Sequence, residues 1–100
     1  MPRPQETEKL RQAGALYQAG HLQEAEQIAR DLIRKNRSLA DGYQLLGLIA
    51  VRHRRYDEAV RHYKSALKIK PHSYRIMYLM AKAYTAQGNI EEAVRWLIVP

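Results

Sequence analysis

One hundred residues hold one small domain, and 46% hydrophobic with 27% charged side chains is the make-up of a folded globular chain, not a disordered one. The absence of cysteine excludes disulfides and thiolate-bound metals, and fits a reducing, cytoplasmic setting. Seventeen Lys and Arg against ten Asp and Glu leave a formal charge of +7, which favours acidic partners. The first nine residues, MPRPQETEK, carry no apolar stretch of the kind a cleaved secretory signal needs. The longest apolar run, Leu45 to Val51, is far short of the ~20 residues that span a bilayer, so no membrane role is expected.

Along the chain, LQEA at Leu22–Ala25, YDEA at Tyr56–Ala59 and IEEA at Ile90–Ala93 recur at intervals of 34 residues. The same shift aligns Ala13 with Gly47 and Ala81, and Gly20 with Arg54 and Gly88. Small residues thus recur where two helices need close approach, and large apolar ones where a core needs filling. The units run approximately 6–39, 40–73 and 74–100, the last incomplete, and each reads as two helices. In the first unit Gly20 is the stop between them. In the second, helices over about 39–52 and 56–69 carry Tyr43, Leu46, Leu48 and Ile49, then Tyr56, Ala59, Val60, Tyr63, Ala66 and Leu67, at helical spacing. Pro71 closes the unit, since it lacks an amide hydrogen and clashes with the preceding turn. Ser38 and Ser73 are expected to cap the helices that follow them, with Asp41 three residues after Ser38. In the third unit Gly88 ends one helix, and Asn89 with Glu92 has the form of a capping box for the next. Arg54 stands where the other units have glycine. Either the turn holds it in a left-handed conformation, at a cost on the order of 1 kcal/mol, or the helix runs on and the turn shifts.

The middle unit resembles the tetratricopeptide repeat family: Tyr43, Leu46, Gly47, Ala59, Tyr63, Ala66 and Pro71 stand at the family's signature positions. The third unit keeps Ala81, Tyr84, Gly88 and Ala93, with Met77 and Met80 as softer core residues. The first keeps Ala13, Gly20 and Ala25. The resemblance covers about residues 6–100. It implies an all-α, right-handed α-solenoid of antiparallel helix pairs, nearly three units and about six helices. It also implies a concave groove lined by the first helix of each unit. Carried onto this sequence, that groove has Leu10, Gly14, Tyr17 and Gln18, then Asp41, Gln44, Leu48, Val51 and Arg52, then Arg75, Tyr78, Lys82 and Thr85. Tyr17, Leu48, Val51 and Tyr78 offer apolar contact there, and Arg52, Arg75 and Lys82 offer positive charge. Such a surface suits a protein or peptide segment with apolar anchors and a few acidic residues. Some family members grip a C-terminal carboxylate through Lys, Asn and Arg. Here those positions hold Leu10, Gly14, Leu45, Arg75 and Leu79, so that activity is not expected.

Chemistry of the chain's own is not expected. No phosphate loop, nucleophile elbow or H-E-x-x-H is present, and no cofactor or metal site is implied. The four His read as surface residues. Asp57–Glu58 and Glu91–Glu92 open helices, where negative charge suits the dipole. The run Arg52, His53, Arg54, Arg55 reads as a solvated turn. A nucleic-acid role is disfavoured because no aromatic side chain interleaves with it. The ending WLIVP is apolar where repeat arrays usually end in a polar cap. Trp96, Ile98 and Val99 therefore mark an end that self-associates, or the chain is the opening segment of a larger protein such as a transferase carrying these repeats.

Overall fold

The computed structural model describes residues 2–97, and those residues form six helices. They are α1 (Pro4–Gln18), α2 (Leu22–Lys35), α3 (Ala40–Arg52), α4 (Tyr56–Ile69), α5 (Tyr74–Ala86) and α6 (Ile90–Leu97). Each helix packs on its neighbours in sequence, giving a helical solenoid of 39 × 27 × 18 Å. α1 also touches α3, so these first helices lie in one layer.

The units share one turn. In each, the residue after the first helix's cap takes positive φ: Gly20 at 88°, Arg54 at 60° and Gly88 at 83°. The next amide reaches back five residues, His21 to Leu16, Arg55 to Ala50 and Asn89 to Tyr84, at 2.8, 2.8 and 2.9 Å. Gly20, Arg54 and Gly88 themselves donate to Tyr17, Val51 and Thr85. This is a Schellman closure repeated three times, and it satisfies carbonyls that the helix end would leave unpaired. The turn therefore does not shift in the middle unit. Arg54 occupies the left-handed conformation that glycine takes in the other two.

The core fills from the repeating positions. Ala13, Ala25, Ala29, Leu46 and Ile49 bury together between the first two units. Ala59, Tyr63, Ala66, Ile76, Met80 and Ala93 do so between the second and third. Gly47 sets the closest approach: a Cβ there would lie 2.6 Å from Cδ1 of Tyr63, whose ring is 1% exposed. Met80 is fully buried, whereas Met77 is half-buried.

Three local expectations need correction. Ser38 does not cap α3. Its amide donates to Asn36 Oδ1 at 3.0 Å, and Leu39 takes the cap position because its side chain is wanted in the core, at 4% exposure. Asp41 instead faces Lys70 at 3.7 Å. Half of the Asn89 box forms: Asn89 Oδ1 accepts the Glu92 amide at 3.4 Å, but the Glu92 carboxylate turns to Arg95 at 2.9 Å. Ser73 does cap α5, accepting the Ile76 amide at 3.3 Å. Nor is every histidine superficial. His62 is half-buried, its Nε2 has no hydrogen-bond partner, and it lies 3.7 Å from Glu58. Burial holds its pKa below the ordinary value, against the pull of Glu58.

Glu6 is a buried carboxylate. It accepts the Arg3 amide at 2.9 Å and the Asn36 side-chain amide at 3.1 Å, fastening the start of α1 to the end of α2. The Arg3 amide does most to hold its pKa below the usual 4.5, with Asn36 adding to it against desolvation.

Two outcomes follow for stability. Arg54→Gly raises stability by roughly 1 kcal/mol in denaturant unfolding, because the left-handed conformation carries no Cβ penalty in glycine. No gain, or a loss, would mean the turn tolerates arginine without strain. For Glu6 the folded pKa lies below the unfolded one, so its contribution is present above pH 4.5 and lost as pH falls through the folded value. Unfolding followed between pH 6 and 3 should show Glu6→Gln less acid-sensitive than the parent chain, and parallel curves would exclude the linkage.

Candidate functional site

The first helices α1, α3 and α5 carry the predicted groove residues. Their periodicity puts one stripe of each helix toward the outside of the inner layer. Tyr17 on α1 and Arg52 on α3 meet directly, with the guanidinium carbon 5.2 Å from the ring centroid. That contact joins two units across the groove. On α5, Lys82 Nζ sits 5.5 Å from the Tyr78 ring, a pairing of residues four apart. Cation–π contacts of this exposed kind contribute about 0.5–1 kcal/mol and hold the rings in place.

Gln44, Leu48 and Val51 are half-buried along α3. Tyr78 is 55% exposed, and Arg75 and Lys82 are exposed with it. Among the described residues Arg52, Arg75 and Lys82 make no ion pair, whereas Arg30, Arg34 and Arg95 on the second helices each face a carboxylate. α5 contains no acidic residue at all, so charge on its exposed stripe is uncompensated. Leu45 is buried and Leu79 half-buried against the core, so both serve packing here.

Tyr63 lies beneath this face as a core residue, 1% exposed, as its place in the repeat predicts. It comes from α4, and its ring lies against Gly47 of α3. Burial, chiefly, pushes the hydroxyl above its ordinary pKa range; Tyr17 adds to this and Arg75 opposes it. The phenol is therefore neutral at any physiological pH. Gly47 is what admits the ring at this distance, since a side chain there would meet it.

Of the expected apolar end, one residue falls within the described chain. Trp96 is half-buried against the core cluster of the second and third units. Ile98 and Val99 lie outside the described residues. The exposed apolar side chains of α6 are Ile90, Val94 and Leu97.

The comparisons with known proteins agree on one architecture. The model of the family described as tetratricopeptide repeat matches residues 50–99. The crystal structure of MamA superposes with a TM-score of 0.82 at 28% identity, over 85% of this chain and 46% of that one. The type III secretion translocator chaperone SycD of Yersinia enterocolitica, in a crystal structure described as an alternative dimer, superposes with a TM-score of 0.90 at 19% identity, over 96% and 73%. A second SycD structure, in complex with a peptide of the translocator YopD, gives 0.88 at 19%, over 96% and 73%. This chain thus spans about half the length of the MamA chain it matches. No curated protein matches by sequence.

Substitution should separate core from surface on these helices. Tyr63→Ala opens a cavity under Gly47 and costs about 3–5 kcal/mol in chemical denaturation. Arg52→Ala removes one exposed cation from Tyr17 and costs about 1 kcal/mol or less. Equal losses in both would mean the groove face is structural.

Proposed function

The chain belongs to the tetratricopeptide repeat family, and on that premise we propose that it is a protein-interaction module whose ligand lies along the groove of α1, α3 and α5. The ligand is a polypeptide segment with large apolar anchors and a few acidic residues. The reading rests above all on the Tyr17–Arg52 contact, which joins two successive units into one surface of rings and unpaired cations. Tyr78 with Lys82 extends that surface onto the third unit. Side chains of this type concentrate binding energy: tyrosine gives area with few rotamers to freeze, and arginine gives several donors at fixed geometry. The helices hold them in position before the ligand arrives, so little conformational entropy is lost on binding. The SycD complex with a YopD peptide, at 19% identity, speaks for the shared fold. The ligand class comes from the side chains of this chain.

Half-buried Leu48 and Val51 would receive the apolar anchors, and Arg52, Arg75 and Lys82 the carboxylates. Pairs at such a rim act mainly on association rate and partner choice, so binding should weaken as salt rises.

Capture from native extract with nuclease present, read by mass spectrometry, tests this. A protein retained by the parent chain should fall more than about tenfold with Tyr78→Ala/Lys82→Glu, while circular dichroism and melting stay nearly unchanged. Equal recovery by both chains removes the groove as the binding face. Collapse of the fold in the double variant would make those residues core.

A further inference from the structure

The two ends of the solenoid are not alike. At each internal junction, the second helix of one unit is covered by the first helix of the next. On α4 Val60 and Tyr63 are 7% and 1% exposed, the Tyr63 ring lying also against Gly47 of its own unit. The residues that stand 34 further on, Val94 and Leu97, are 45% and 58% exposed, and Ile90 beside them is 55%. They recur at intervals of four and three, so α6 presents one continuous apolar stripe to water. The opposite end is closed. Ile76, Met80 and Ala83 are the buried contacts of α5, and 68 residues earlier stand Glu8, Gln12 and Ala15, all exposed on α1, with Glu8 bonded to Arg11. A polar α1 cannot cover an apolar α6, which removes head-to-tail stacking of copies.

The flank of the stripe is self-complementary. Glu91 and Arg95 lie on the same side of it, one turn apart. Glu91 has no partner among the described residues, and Arg95 meets only Glu92 on its own helix. When two such helices pack antiparallel about a two-fold axis, each flank meets its own copy with direction reversed. Glu91 then faces the other copy's Arg95 twice over, Ile90 meets Leu97, and Val94 meets Val94. A parallel pairing about a two-fold axis would set this flank against the other flank of the partner helix and leave Glu91 and Arg95 without each other. We propose that α6 is an interface between two copies of this chain, packed tail to tail and antiparallel through Ile90, Val94 and Leu97. One short helix offers a patch below the size of standard stable interfaces, so the dimer is weak, dissociating in the micromolar range or above. The grooves of α1, α3 and α5 remain open in both copies, and the dimer presents two of them.

Sedimentation equilibrium of the whole chain at low salt, over micromolar to millimolar concentration, reads this directly. The expected result is a monomer–dimer equilibrium that Val94→Glu shifts to monomer with helical content unchanged. Surface variants separate folding from association. Glu91→Arg alone and Arg95→Glu alone should each dimerise more weakly than the parent. An equimolar mixture of the two should associate roughly tenfold more tightly than either, because the repelling pairs become attracting ones. A monomer throughout, a dimer indifferent to Val94→Glu, or a mixture no tighter than its components overturns the proposal.

Discussion

The close approach of α3 and α4 at Gly47 is the contact on which the rest depends. A side chain there would run into the Tyr63 ring, so the residue must be glycine for that ring to lie where it does. With the ring in place, two things follow. The helices of the middle unit sit near enough to exclude water from Ala59, Tyr63 and Ala66, all 1% exposed or less. And the ring, held against α3, fills the core between the second and third units. The other units solve the same problem with smaller means. Ala13 and Ala81 hold the equivalent place and bury fully or nearly so. The equivalents of Tyr63 are Ala29, which is covered, and Leu97, which is not.

The fold was legible because it repeats. Three registers of Ala, Glu and apolar residues at a 34-residue spacing fix six helices and their pairing, and α4 begins and ends at the residues that spacing predicts. What was not legible depends on single three-dimensional choices. Ser38 is a good capping residue, but burying Leu39 outweighs one capping hydrogen bond. Glu6 looks like any acidic residue in a first helical turn. Its burial depends on Asn36, thirty residues away, closing over it. His62 reads as polar and superficial, yet α4 turns one of its flanks toward α2, where Arg30 reaches Glu58 at 3.7 Å. The groove residues were named by resemblance and by period. The structure adds which of them touch, namely Tyr17 with Arg52 and Tyr78 with Lys82.

Charge is distributed by layer. On the outer helices the basic residues of α2 and α6 are largely neutralised within one or two turns, Arg30 by Glu26, Arg34 by Asp31 and Arg95 by Glu92. Such exposed pairs contribute little to stability but leave little net field. On the first helices Arg52 stands over the Tyr17 ring and Lys82 over the Tyr78 ring, and among the described residues neither they nor Arg75 meet a carboxylate. Part of the +7 surplus is thereby concentrated where rings and half-buried aliphatic side chains give it an apolar setting.

The most direct measurement is selection of binders from a random peptide library, followed by amide chemical-shift mapping of the selected peptides on the labelled chain. The account predicts peptides rich in Asp or Glu beside large apolar residues, with shifts concentrated on α1, α3 and α5 around Tyr17, Leu48, Arg52, Tyr78 and Lys82. Shifts concentrated on the outer faces of α2 and α4, or selected peptides without acidic character, would contradict it.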